Sequence, residues 1–151
     1  VLDKAGHQTN KEYLWMVRAV VERLVLFHYD KGSRSGTVIG QLAKDFKGYF
    51  QCDGFEGYES AFKVNPNVRL VNCMAHIRRY FEQALAENRQ MAEHALKEIQ
   101  LLYRIEHDCD QKQLTENERM GKRQELAGPI MDALKLWMET EGIKYSPNSL
   151  T

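Results

Sequence analysis

Asp53 is the residue of this chain best placed to do chemistry. It follows the apolar run Tyr49-Phe50-Gln51-Cys52, which reads as a short buried strand, and it precedes Gly54. Ligands of open α/β sheets collect outside the carboxyl ends of strands, so a carboxylate there can meet a metal ion. Asp-Gly is also an ordinary turn signal, and periodicity alone favours that plainer reading. A catalytic role requires Asp53 at the end of a strand in the middle of the sheet, with its carboxylate open to solvent.

Cys73 and His76 form a second constellation, in Cys73-Met74-Ala75-His76. Their spacing supplies half a zinc site, whereas structural zinc takes about four protein ligands. The other cysteine–histidine pairing, His107 with Cys109, is poorly spaced for zinc. The expectation is therefore no zinc, a small buried Cys73, and a His76 that hydrogen-bonds within the core. Arg78 and Arg79 follow at a helix start, where they suit phosphates, although such a pair is more often a solvated face.

The elements that must position these residues can be read from period and turn chemistry. Tyr13-Leu14-Trp15-Met16-Val17 is an apolar, aromatic run suited to a strand buried on both faces, and with the second run Leu24-Val25-Leu26-Phe27-His28-Tyr29 it reads as a hairpin. Residues 30–36 form a loop whose serines can cap the next element. Val38, Leu42 and Phe46, with Ile39 and Ala43, mark an amphipathic helix that Gly48 ends. Val68-Arg69-Leu70-Val71 is a strand after the Asn65-Pro66-Asn67 turn. The rest is helical: Ile77, Phe81, Ala84 and Leu85 share one face, and Ala92, Ala95, Leu96, Ile99, Leu102 and Tyr103 share another. Thr115 with Glu118 makes a capping box. Pro129 should break or restart that last helix, whose stripe is Ile130, Leu134, Trp137 and Met138 before Gly142. Strands, helix, strands and then helices is an α/β order.

Composition narrows the class. With 151 residues, 43% of them apolar, the chain can build one compact core without a metal or disulfide staple. No apolar run approaches the roughly 18 residues of a membrane span, and Val1-Leu2-Asp3-Lys4 does not open a signal peptide. Cys52, Cys73 and Cys109, odd in number and widely spaced, suggest thiols in a reducing cytoplasm. The chain lacks an initial Met and a closing element, as expected of a piece of something longer. Net charge is zero, yet residues 1–80 hold 12 Lys and Arg against 8 Asp and Glu, and the remainder reverses that balance. A nucleic-acid surface should then lie on the first half, unless both halves are ordinary solvated faces.

Order and wording add a resemblance. Tyr13-Leu14-Trp15, Leu26-Phe27-His28-Tyr29, Ser33-Arg34-Ser35-Gly36, Phe46-Lys47-Gly48-Tyr49, Asp53-Gly54-Phe55-Glu56-Gly57-Tyr58 and Cys73 to Phe81 follow the insertion sequence 66 family of transposases. So do Leu102 to Glu106, Glu118-Arg119 with Arg123-Gln124, and Pro129 to Trp137. The resemblance covers nearly the whole chain. It implies a ribonuclease-H-like mixed sheet with flanking helices and a helical C-terminal extension, divided as residues 1–88 and 89–151. It implies a DDE-type enzyme of DNA transposition, in which Asp53 is the second of three acids around Mg2+ or Mn2+. The first acid belongs in an Asp-Glu-Thr segment before Val1, which Asp3 does not match. The third belongs in an Asn-Asn-x-x-Glu segment beyond Thr151.

Three acids have a physical reason. Breaking a phosphodiester takes an activated nucleophile and a stabilised leaving oxygen on opposite sides of phosphorus, which two ions about 3.5–4 Å apart supply. Asp53 alone holds only part of such a site, so no bound metal and no activity is expected of this chain by itself. In the intact parent, Arg34, Arg78 and Arg79 would approach the backbone of the DNA at the element ends, with self-association an option and no membrane involved. The rivals are a non-catalytic DNA-binding or assembly module, and a ribonuclease-H-like nuclease outside transposition.

Overall fold

The computed structural model describes residues 11–63 and 65–142. They divide into two compact units, one ending at Cys73 and one beginning at Met74. The reading from sequence put the boundary after residue 88. The helix in between groups with the helices rather than the strands.

In the first unit, β1 (Tyr13–Ala19) and β2 (Leu24–Asp30) form the expected antiparallel hairpin, with Trp15 opposite His28 and Met16 opposite Phe27. The turn between them carries Arg23 at φ 55°. Alternation decides the faces. Tyr13, Trp15 and Val17 turn inward, whereas Leu14, Met16, Phe27 and Tyr29 lie on the opposite face and are exposed. β3 (Gly48–Cys52) and β4 (Val68–Asn72) pair in parallel, with Phe50 opposite Leu70 and Cys52 opposite Asn72. The chain is thus mixed α/β, with two separate two-stranded sheets among the described residues.

Two short helices cover the inner faces. α1 (Gly36–Leu42) is a turn shorter than its apolar period suggests. It ends at Ala43, and Phe46 leaves the helix to pack edge-on against Phe50 at 6.0 Å. Ser35 occupies the position before α1 but makes no capping bond to its backbone. Its hydroxyl meets that of Thr37 instead. α2 (Glu56–Phe62) has no counterpart in the sequence reading. One core joins these elements: Trp15, Val38, Ile39, Ala43 and Phe62, with Phe50, Tyr58, Val68 and Leu70 packed on it.

The second unit is helical: α3 (Met74–Ala84), α4 (Arg89–Gln111), α5 (Glu116–Lys122) and α6 (Gly128–Gly142). Asn88 caps α4 by accepting from the Met91 amide at 3.3 Å. The capping box is present at α5, where Thr115 Oγ1 accepts from the Glu118 amide and Glu118 Oε2 from the Thr115 amide at 2.9 Å. Ala95, Ile99 and Leu134 are buried together, with Met74, Ile77, Phe81 and Trp137 packed around them. The α-helix restarts at Gly128, one residue before Pro129, without the chain leaving a helical path. One π-helical turn, Arg123–Ala127, bridges α5 to α6, and the Gly128 amide donates to the Arg123 carbonyl five residues back. The wider turn accommodates the ring and the missing donor of a proline in a continuing helix. Among the described residues no helix is long and apolar enough to cross a membrane.

Candidate active site

Parallel pairing puts the carboxyl ends of β3 and β4 side by side, so Asp53 and the Asn72-Cys73 pair emerge at one end of the sheet. The Cys73 amide donates to the Cys52 carbonyl at 2.8 Å and prolongs the ladder to this point. Cys52 itself is buried. Asp53 therefore leaves a fixed strand end.

The turn after it uses both residue types. Asp53 Oδ1 accepts from the Phe55 amide at 3.2 Å, and Gly54 sits at φ +85°, a conformation side chains disfavour. The turn reading and the site reading of Asp-Gly are thus compatible, because one carboxylate oxygen serves the turn and Oδ2 does not. Asp53 is half-buried rather than open. Its strand has β4 as its single partner among the described residues, so it is not in the middle of a sheet as expected. Among the described residues the β1–β2 hairpin is paired only with itself.

Arg34 reaches this turn from the loop before α1. Its guanidinium carbon lies 4.3 Å from the centre of the Phe55 ring. The loop is braced by Asp30, whose Oδ1 accepts from the amides of Gly32 at 3.1 Å and Ser33 at 2.8 Å. Ser33 Oγ then accepts from the Ser35 amide at 3.0 Å. Tyr58, one turn into α2, stands edge-on to both Phe55 and Trp15. Burial, and then the negative charge of Asp53, push its hydroxyl above the ordinary phenol range, while Arg34 pulls the other way. Phe55 and Tyr58 were not singled out from the sequence. The only local signal was two aromatics three residues apart directly after Asp-Gly.

Of the remaining predicted residues, Cys73 alone shares this strand end. Cys73 is half-buried at the end of β4. His76, in the first turn of α3, departs from expectation, since its Nδ1 is buried with no hydrogen-bond partner. Arg78 and Arg79 belong to the second unit, and both are exposed. Arg78 is paired with Glu82 one turn on at 2.6 Å, so part of its donor capacity is already used. No group of three His, Cys, Asp or Glu side chains among the described residues could hold a metal ion.

The full length of the chain, residues 1–151, matches the description "Transposase IS66 family". The chain belongs to the IS66 transposase family. This IS66-family chain is also similar to the uncharacterized protein y4qI of Sinorhizobium fredii, at 26% identity over 159 residues. The similarity covers 95% of this chain and 29% of that protein, so the chain spans less than a third of its relative's length. No solved structure matches it.

Proposed function

We propose that this chain is the part of an IS66-family DNA transposase that contributes one catalytic, metal-binding aspartate, Asp53. The family match over the whole chain carries this reading. The location of Asp53 at the carboxyl end of a parallel strand supports it. In the parent, Asp53 ligates Mg2+ or Mn2+ through oxygen together with two further acids, in cytoplasmic DNA cleavage and strand transfer. The two further acids are proposed to come from the rest of the parent. Arg34, Arg78 and Arg79 are the proposed backbone contacts.

A ribonuclease-H-like core is the fold proposed for the parent. Among the described residues, an antiparallel hairpin and a parallel pair that share one core each keep an unpaired edge. One additional strand could join them into a single mixed sheet, which would bring Asp53 inward from the sheet edge.

The test is a transposition assay in cells with the full-length parent and its Asp53→Ala variant, alongside plasmid nicking by the present chain. Expected are loss of transposition on substitution and no nicking by this chain with Mg2+ or Mn2+. An Asp53→Ala parent that still transposes would sink the catalytic reading and leave a DNA-binding or assembly module. Nicking by this chain that Asp53→Ala abolishes would show that the missing acids are within it.

A further inference from the structure

Among the described arginines, Arg34 is set apart by the aromatic ring it lies on. Arg78, Arg89, Arg119 and Arg123 direct N–H groups at carboxylates. Arg34 is exposed, lies over an aromatic face, and has no ion pair among the described residues. Stacking engages the flat face of a guanidinium and leaves its N–H edge free, which is the edge that matches a phosphate. The same residue, Phe55, gives its ring to Arg34 and its amide to Asp53. A cation and a carboxylate oxygen are thereby fixed around one turn. Loop bracing by Asp30 and Ser33 lowers the entropy that Arg34 would lose on binding.

We propose that Arg34, laid flat on Phe55, is a preformed contact for a DNA backbone phosphate next to Asp53, with Phe55 as its positioning residue. The inference rests on the reading of Asp53 as facing DNA. It goes further by naming Phe55 as the residue that orders Arg34 and ties it to the Asp53 turn. Gly57 belongs to the device, because a methyl group there would press on the Phe55 ring, 2.9 Å from its Cδ1, and swing the shelf away.

The experiment is fluorescence anisotropy of a labelled DNA duplex titrated with this chain across a salt series, without divalent metal. Removing one phosphate contact should reduce the slope of log affinity against log salt by about 0.9 for Arg34→Ala. Arg34→Lys should keep the slope and lose affinity severalfold, since lysine brings the charge without the flat fork. Phe55→Leu should do the same, which a merely structural stack would not predict once folding is verified by circular dichroism. Equal slopes for Arg34→Ala and the parent chain, or no salt-dependent binding at all, would overturn the inference. Excess inorganic phosphate that displaces the duplex at low millimolar concentration would also overturn it, by showing a free-anion site. The transposition assay with the full-length parent separates the two ideas. If its Asp53→Ala variant still transposes while Arg34→Ala lowers the salt slope of this chain, the reading of Asp53 fails and the phosphate contact stands.

Discussion

Gly36 at the start of α1 lies directly against the carbonyl of Gly57 in α2. A methyl group added to Gly36 would fall on that oxygen, 3.1 Å from its carbon and 3.3 Å from the Ala61 nitrogen. These are backbone atoms, so no side chain can swing aside. Gly36→Ala should therefore force the helices apart and cost about 1–3 kcal/mol or somewhat more. Gly32→Ala, with open space around it, is the control and should change stability little. Urea unfolding of the two variants compares them. Equal midpoints would mean that α1 and α2 are not in this contact.

The helical unit should fail from its centre. Ile99 is fully buried between Ala95 and Leu134, so Ile99→Ala should cost about 2–5 kcal/mol. Leu101, two residues on, is 38% exposed and should lose far less on the same change. Calorimetry of both variants is the measurement, and a similar loss at the two positions would contradict the packing.

Acid should loosen the same unit through Glu106. Its carboxylate accepts from Arg123 Nε at 2.6 Å and Nη2 at 2.8 Å, and from Arg119 Nη1 at 2.9 Å. The Arg123 hydrogen bonds above all, joined by those of Arg119, hold its pKa below the ordinary value against an opposing effect of burial. A folded pKa below the unfolded one gives stability that is complete above about pH 4.3 and is lost as pH falls through the folded pKa. Melting temperature followed from pH 7 to pH 2 should drop less steeply below that point in Glu106→Gln. A variant that tracks the parent chain throughout would show that the network adds no pH dependence.

The outer face of the hairpin should limit how concentrated this chain can be made. Leu14, Met16 and Phe27 are each more than half exposed, and Tyr29 lies opposite Leu14 on the same face. Met16→Glu with Phe27→Lys replaces a facing apolar pair by an opposite-charge pair. It should shift stability by no more than about 0.5 kcal/mol, as surface changes do. Light scattering should show self-association beginning at a higher protein concentration. Aggregation at the unchanged concentration would mean that another surface drives it.

What could be read from the sequence was set by short-range rules. Continuous apolar runs revealed the hairpin but suggested a first strand buried on both faces, whereas Leu14 and Met16 are exposed; turn chemistry bounded β3 and β4, and Thr115 with Glu118 announced α5. Where a pattern outlasted its element, the reading overshot: Phe46 keeps the period of α1 but packs from beyond its end. α2 escaped because seven residues with no capping side chain give almost no local signal. Its apolar positions, Tyr58, Ala61 and Phe62, are set by the core they enter. Asp53 was legible as a strand-end acid. Its neighbours were not, since the contact of Arg34 with Phe55 depends on two loops meeting across the fold. His76 was expected to be bonded because buried polar atoms generally are, and no spacing rule reveals an exception.

The π-helical turn before Pro129 carries an arithmetic consequence. A helix that absorbs one surplus residue advances by about 100° at 3.6 residues per turn, so everything downstream is out of phase with what precedes it. Residues 116–122 and 128–142 look like one rod yet keep different angular registers. Replacing Pro129 alone would leave the surplus residue in place. Straightening the rod takes a one-residue deletion within 123–127, and that edit would rotate Leu134 and Trp137 by about 100° off the face that now meets α4. The bulge thus sets the reading frame of the apolar stripe in three dimensions, and single-residue insertions or deletions there act like frameshifts of packing.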